Sequence, residues 1–242
     1  MKILRSVTEF KDFLETSDVQ KGILADTSFL YALAYDDDRI HLAADEVFEV
    51  LAEEQISIYS NVISRMEFAD LMLRKQLAAG AVTFFSTVER THSNKPLYNF
   101  LKDIRDKTTQ AKNEGASFKL DEYRLKKFRK LVNETSGPQG WNLFCENHIG
   151  KVLSGEWAAL ENDLGLNFVE VMEGQTSDVI VTPLLWNDMV SLMGARGVRG
   201  PDAMIMNMFS NSSLELLITG DSDYETLISD SGYAEDKAVL IL

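Results

Sequence analysis

Cysteine is nearly absent from this chain of 242 residues, and long apolar runs are missing. The single Cys145 excludes an intrachain disulfide and suits a reducing compartment. No apolar run approaches the ~20 residues that a membrane-spanning helix needs. The segment 1–10 carries early charges and lacks the apolar stretch of a signal peptide. We therefore expect a cytoplasmic protein that has no membrane partner.

The chain also lacks a net positive charge. The chain has 24 Lys and Arg against 38 Asp and Glu, and this net charge of −14 argues against nonspecific nucleic-acid binding by the whole surface. Residues 90–130 differ, because they hold 12 basic and 5 acidic side chains, a local charge of +7. Such a patch could hold a polyanion, although solvated lysine-rich helices explain the same composition. The candidate nucleic-acid contacts in this segment are Lys102, Arg105, Lys126, Lys127, Arg129 and Lys130.

The spacing of apolar residues predicts an α/β protein. Strand-like runs at 22–25, 56–59, 214–219 and 238–242 are separated by amphipathic helical segments. Apolar segments on either side of Glu173-Gly174-Gln175 favour a small hairpin. The order of the elements is compatible with right-handed parallel crossovers, so we expect a central parallel sheet flanked by helices.

We expect a single domain over residues 1–242. Its core comprises 22–77 and 183–242, and a leading helix precedes that core within residues 1–20. Residues 80–180 contain almost no alternation of β-branched residues, and their apolar positions recur at helical spacing. This stretch is therefore predicted to be a mostly helical insertion beside the α/β core.

Four acids lie where strand ends and helix starts would bring them together. Asp26 and Asp221 each follow a predicted strand, whereas Glu67 and Asp202 lie on predicted helices. Side chains at the carboxyl ends of parallel strands share one crevice, and carboxylates gathered there repel each other unless a hard divalent cation neutralises them. One cation, or two ~3.5–4 Å apart, can activate a water and stabilise charge in phosphodiester hydrolysis. We therefore predict a metal site, with at least one raised carboxyl pKa when no metal is bound.

Each acid taken alone has an ordinary explanation. Asp26 resembles a helix cap, and Asp202 is a first-turn acid that the helix dipole favours. Glu67 could lie on a solvated helix face, and Asp221 could belong to a simple turn. The occurrence of all four at predicted strand or helix ends is what favours metal coordination.

At these residues the chain resembles the PIN domain family, the nuclease fold of many bacterial toxin–antitoxin toxins and eukaryotic RNA-processing nucleases. The matching motifs are Asp26-Thr27-Ser28, Ser64-Arg-Met-Glu67, Pro201-Asp202-Ala203 and Thr219-Gly-Asp221-Ser-Asp223. The resemblance covers about 22–77 and 183–242. It does not cover the predicted insertion or the leading helix, which compact toxin members lack.

The resemblance implies a Rossmann-like PIN fold and an endoribonuclease that depends on one or two Mg²⁺ or Mn²⁺ ions. RNA would be the substrate, with a protein inhibitor or antitoxin and a second copy of the chain as further partners. The family's acidic positions, both catalytic and metal-binding, correspond to Asp26, Glu67, Asp202 and Asp221. The residues that would support them are Asp223, which would act through a contact or a bound water, and the hydroxyl residues Thr27, Ser28 and Thr219.

Arg196 and Arg199 precede Asp202 in a glycine-rich stretch. They could contact a backbone phosphate, although a flexible connection explains the stretch equally well.

Two other functions remain open at this level. The first is a PIN-fold module with little or no catalysis that binds RNA or protein. The second is a phosphatase of the haloacid-dehalogenase type, which also begins with an Asp after a strand. That family requires another Asp two residues later, where this chain has Ser28.

Overall fold

The structure, a computed structural model, describes residues 1–17, 19–88, 94–170, 173–228 and 237–242. It divides into two compact units. The first comprises Met1–Asp36, Ile40–Phe68 and Glu161–Leu242, and the second comprises Asp37–Arg39 and Ala69–Leu160.

The described part of the first unit contains a six-stranded sheet. Its strands are β1 (Lys2–Leu4), β2 (Ile23–Ala25), β3 (Ile58–Asn61), β4 (Asn167–Val169), β5 (Leu216–Thr219) and β6 (Ala238–Ile241). They are ordered β1-β6-β5-β2-β3-β4, and all five pairings are parallel. Strands β2 and β5 are buried at every position, as expected of a parallel sheet covered on both faces. The predicted α/β class with a central parallel sheet is confirmed.

Eleven helices are found among the described residues. In chain order they are α1 (Val7–Thr16), α2 (Thr27–Ala34), α3 (His41–Glu53), α4 (Val62–Phe85), α5 (Lys95–Asn113), α6 (Glu122–Ser136), α7 (Gly140–His148), α8 (Gly150–Leu164), α9 (Trp186–Arg196), α10 (Gly200–Ser210) and α11 (Asp223–Ile228). None of them is both long enough and apolar enough to cross a membrane.

The second unit has no strand among its described residues and has its own core. Phe128 lies within that core, with its ring centroid 4.9 Å from Phe144 and 5.6 Å from Phe100. The aliphatic side chains of Leu101 and Ile104 are fully buried in the same cluster. Apart from Asp37–Arg39, the unit spans residues 69–160, which overlap most of the predicted insertion.

One local prediction is wrong, and another is incomplete. The segment after α8 does not form a hairpin, because β4 pairs in parallel with β3, with Asn167 beside Tyr59. Ile180 instead bridges Ser212 in antiparallel fashion. The leading segment contains β1 as well as the predicted helix, which is α1. Both strands have only three residues, too few for an alternating pattern, and their partners are distant in sequence.

The strand order creates a switch point between β2 and β5. From β2 the chain continues to β3 and β4 on one side, and it later returns to β5 on the other side. Leu24 of β2 lies beside Tyr59 of β3 and beside Leu217 of β5. In open α/β sheets the crevice at the carboxyl ends of such strands is where ligands bind.

Candidate metal centre

Asp26 stands at the carboxyl end of β2, at the switch point. Its backbone N–H donates to the Ile218 carbonyl of β5, 2.9 Å away, so the adjacent strand fixes the start of α2. The side chain is buried and does not cap α2. The residue is therefore not the ordinary helix cap that its position in the sequence allows.

Two hydroxyls hold the same oxygen of Asp26. The Oδ2 atom accepts hydrogen bonds from Thr219 Oγ1 at 2.7 Å and from Ser28 Oγ at 2.8 Å. Each hydroxyl in turn accepts a backbone N–H: Thr219 from Asp221 at 3.0 Å, and Ser28 from Gly220 at 2.7 Å. The carboxylate is thus tied to the turn that follows β5.

Gly220 lies in that turn, close to the side chain of Ile40. A Cβ atom at this position would lie 2.4 Å from Ile40 Cδ1 and 3.5 Å from Ser28 Cβ, so a larger residue would require the Ile40 side chain to shift. The Gly220 N–H donates to Ser28 Oγ at 2.7 Å.

Glu67 reaches the site from α4. The helix begins directly after β3, where Asn61 Oδ1 accepts the N–H groups of Ile63 at 2.9 Å and Ser64 at 3.0 Å. Glu67 lies one turn later, and its Oε2 accepts a hydrogen bond from Thr27 Oγ1 at 3.0 Å. Thr27 follows Asp26 directly, so the hydroxyl links the two acidic positions.

Asp202, Asp221 and Asp223 form the tightest group of carboxylates among the described residues. One oxygen from each lies within 4.8 Å of the others. Asp202 is buried in the first turn of α10, and Asp221 accepts the N–H of Asp223 at 2.9 Å. The resemblance implies that Asp26 is one of the metal-binding acids and that Asp223 only supports them. In the structure Asp223 belongs to the closest triplet and Asp26 does not.

Arg199 is the cation that contacts this group. Its Nε lies 3.2 Å from Asp202 Oδ2, and its Nη2 lies 3.4 Å from Asp202 Oδ1. The same Nη2 lies 3.8 Å from Asp221 Oδ2. Sequence reasoning proposed Arg199 as a phosphate contact and overlooked this pairing, although the i,i+3 spacing on one helix start indicates it.

The acids share an electrostatic environment that raises three pKa values. Burial raises the pKa of Asp26 against the hydrogen bonds from Thr219 and Ser28. The pKa of Glu67 is raised first by burial and then by the charges of Asp26 and Asp202. The pKa of Asp202 is likewise raised by burial and by the charges of Asp26 and Asp221, against the attraction of Arg199. This agrees with the raised pKa expected of carboxylates gathered without a metal.

Tyr224 is a neighbour of the site that sequence reasoning missed. The side chain is fully buried, and its hydroxyl has no hydrogen-bond partner among the described residues. Burial raises its pKa well above the ordinary value, and the charges of all four predicted acids raise it further. Such an orphaned hydroxyl beside a polar site can bind a water or a ligand. Its position directly after Asp223 was the only signal in the sequence.

The predicted nucleic-acid contacts fall in two places. Arg196 ends α9 in the first unit, close in sequence to Arg199. The other six candidates lie in the second unit, on α5 (Lys102 and Arg105) and α6 (Lys126, Lys127, Arg129 and Lys130).

Acids on the same helices pair with several of these basic residues. Lys126 Nζ lies 2.6 Å from a carboxylate oxygen of Glu122, and Arg105 Nη2 lies 2.8 Å from one of Asp106. Other cations cover aromatic rings, such as Lys127 above Phe100. Some of the 12 basic side chains are therefore paired with acids that the net charge of +7 already includes.

No protein-family model, curated protein or solved structure matches this chain. The resemblance to the PIN domain family therefore depends on the sequence motifs alone.

Proposed function

We propose that this chain is a PIN-type endoribonuclease whose first unit hydrolyses RNA phosphodiester bonds with the help of Mg²⁺ or Mn²⁺. The observation that supports the proposal is the grouping of Asp26, Glu67, Asp202 and Asp221 from four separate segments. Three of them have raised pKa values, so folding brings these charges together at a cost in stability. Perturbed carboxylates of this kind are typical of functional sites, and a bound cation would offset the cost.

The donor set fits a hard divalent cation. The closest triplet, Asp202, Asp221 and Asp223, offers only carboxylate oxygens, the ligands that Mg²⁺ and Mn²⁺ prefer, whereas Zn²⁺ favours nitrogen and sulfur. Mg²⁺ keeps several of its waters, so three carboxylates are enough. When bound, the cation would neutralise the phosphoryl oxygens and lower the pKa of a water.

The side chains around the triplet would orient the reacting groups. Thr219 and Ser28 hold Asp26 Oδ2, which fixes the direction of its second oxygen. Thr27 holds Glu67 Oε2, so Oε1 is the oxygen that would accept a proton from the attacking water. Burial and neighbouring acids raise the pKa of Glu67, which makes its carboxylate a stronger base.

The proposal is tested by cleavage of an RNA panel with Mg²⁺ or Mn²⁺ and with the metal chelated. We expect cleavage only with metal, and a loss on the order of 10²-fold or more in Glu67→Gln. Asp70→Asn is the matched control, because Asp70 lies one turn later on α4 and pairs with Arg74 at 2.7 Å. Cleavage that persists in the chelator, or that is equal in the two variants, would refute the assignment.

A smaller effect is expected from Thr27→Val, which keeps the shape of the buried side chain and removes the hydrogen bond to Glu67. Because residues that orient ligands typically contribute about 10–100-fold, we expect a decrease of that size in kcat at saturating metal. Thr83→Val is the control, since its hydroxyl donates only to the Ala79 carbonyl of its own helix. Equal kcat values in Thr27→Val and Thr83→Val would show that the Thr27 hydroxyl does not contribute to catalysis.

An apolar surface in the first unit favours a second candidate, a module that binds protein. Val62, Leu185 and Trp186 line one cavity, and each is about half exposed. Apolar side chains that are exposed together in one patch often mark a surface that binds another protein. Calorimetric titration separates the candidates: failure to bind Mn²⁺ at millimolar concentration favours the module over the nuclease.

A further inference from the structure

Arg199 contacts two carboxylates of the acidic triplet at once, whereas a simple surface ion pair involves only one. Its guanidinium directs two nitrogens at the two oxygens of Asp202, at 3.2 and 3.4 Å, and one of these nitrogens also lies 3.8 Å from Asp221. Asp202 is buried, with 4% of its side chain exposed, whereas 67% of the Arg199 side chain is exposed. The partner that can move is therefore the arginine.

The two carboxylates that pair with Arg199 are two of the three that could hold a cation. A divalent ion bound by Asp202 and Asp221 would use oxygens that now face the guanidinium. Two positive groups a few ångströms apart repel each other, and here both would need the same carboxylate oxygens. The guanidinium and the metal ion therefore cannot both keep their best contacts with this pair of acids.

We propose that Arg199 is an internal counterion that competes with the divalent ion for Asp202 and Asp221 and that moves onto the substrate phosphate when the metal binds. The inference rests on the proposed nuclease function. In the metal-free protein, Arg199 offsets part of the repulsion among the acids through its contacts with Asp202 and Asp221. In the metal-bound protein, the released guanidinium is a planar fork suited to phosphate oxygens.

The position of Arg199 in the chain fits this exchange. It is the N-cap residue of α10, with extended backbone, and its side chain makes no cap hydrogen bond. Pro201 starts the helix rigidly, so rotation of the Arg199 side chain leaves Asp202 in place. Competition between Arg199 and the metal ion would therefore set the free metal concentration that the enzyme needs before it binds RNA.

Calorimetric Mn²⁺ titration of wild type, Arg199→Ala and Arg199→Lys tests the competition without any need for turnover. We expect Arg199→Ala to bind Mn²⁺ about three- to tenfold more tightly, since an exposed ion pair contributes modestly. Arg199→Lys, which keeps the charge but not the fork, should fall between the two. At saturating Mn²⁺ we expect wild type to be the most efficient enzyme and Arg199→Ala the least efficient. Arg199→Ala should lose about tenfold in kcat/KM for RNA.

Arg5→Ala is the matched control. Arg5 lies in the same unit, has 60% of its side chain exposed, and forms an ion pair with Glu225 at 3.1 Å. The variant removes the same charge without touching the triplet, so its Mn²⁺ affinity should match that of wild type. If Arg5→Ala and Arg199→Ala gain the same affinity for Mn²⁺, the gain is caused by the change in net charge alone. That result would overturn the proposal.

The remaining outcomes separate this inference from the nuclease function. Equal Mn²⁺ affinity in wild type and Arg199→Ala, together with metal-dependent cleavage by both, overturns the counterion role and leaves the nuclease. Absence of Mn²⁺ binding in both proteins overturns the nuclease and with it the inference.

Discussion

Replacement of Asp202 by Asn is expected to abolish Mn²⁺ binding and to lower RNA hydrolysis by on the order of 10²–10³-fold, the usual loss when one preorganised electrostatic contact is removed. Asp202 belongs to the closest carboxylate triplet and is its most buried member. An amide in its place keeps the shape and gives up the charge that attracts the cation. Calorimetry would measure binding, and single-turnover cleavage of a labelled RNA would measure the chemical step.

Asp188→Asn is the control for this substitution. Asp188 and Asp202 are both first-turn acids of helices with eleven residues, so both variants lose the same favourable interaction with a helix dipole. Asp188 is exposed and lies outside the acidic group. Full activity in Asp202→Asn, or equal losses in both variants, would mean that Asp202 only stabilises its helix.

Asp26→Asn should combine loss of activity with a gain in stability. The Asp26 carboxyl is buried and its pKa is raised by that burial, so the ionised form weakens the metal-free fold. Asn can still accept the hydrogen bonds of Thr219 and Ser28 through one oxygen. We expect a free energy of unfolding higher by roughly 1 kcal/mol, which is a Tm rise of about 2–4 °C for a chain of this size. RNA hydrolysis should fall on the order of 10²-fold.

The pH dependence of that gain follows from the direction of the pKa shift. A raised folded pKa means that the contribution of Asp26 to stability is fully present below its unfolded pKa, about 3.9, and is lost as the pH rises through the folded pKa. The advantage of Asp26→Asn over wild type in chelator should therefore be largest at neutral pH and should shrink as the pH falls toward 4. Thermal unfolding across this range would measure it.

Asp12→Asn separates this effect from a general loss of negative charge. Asp12 is exposed on α1, where substitutions usually change stability by less than about 0.5 kcal/mol. Added Mn²⁺ should stabilise wild type and Asp12→Asn alike, because a ligand that binds the folded protein shifts the unfolding equilibrium. A less stable Asp26→Asn protein in chelator, at neutral pH, would contradict the electrostatic account of the site.

Local signals in the sequence anticipated the central strands and the motifs of the site. The runs that became β2 and β5 are short and mostly apolar. Asp26 follows β2 directly, and Gly220-Asp221 follows β5, a pattern that can be detected locally in the sequence. The edge strands were different. β1 and β4 contain three residues each and depend on partners far away in the chain, so their own sequences carry little information.

The details of the site depend on contacts that no local pattern encodes. The unpartnered hydroxyl of Tyr224 and the pairing of Arg199 with Asp221 arise only when β5, α10 and α11 are assembled. The basic segment shows what a count of charges leaves out. Its charge of +7 is a count over residues 90–130, and it does not reveal that acids such as Glu122 and Asp106 lie against the cations.

Crystals of the wild-type protein soaked in millimolar Mn²⁺ give the most direct measurement of whether these carboxylates hold a divalent ion. We expect an anomalous scattering peak within coordination distance of Asp202 and Asp221, with the Arg199 guanidinium withdrawn from both. A map with no peak at this group, and with Arg199 still paired to Asp202, would contradict the metal-dependent account.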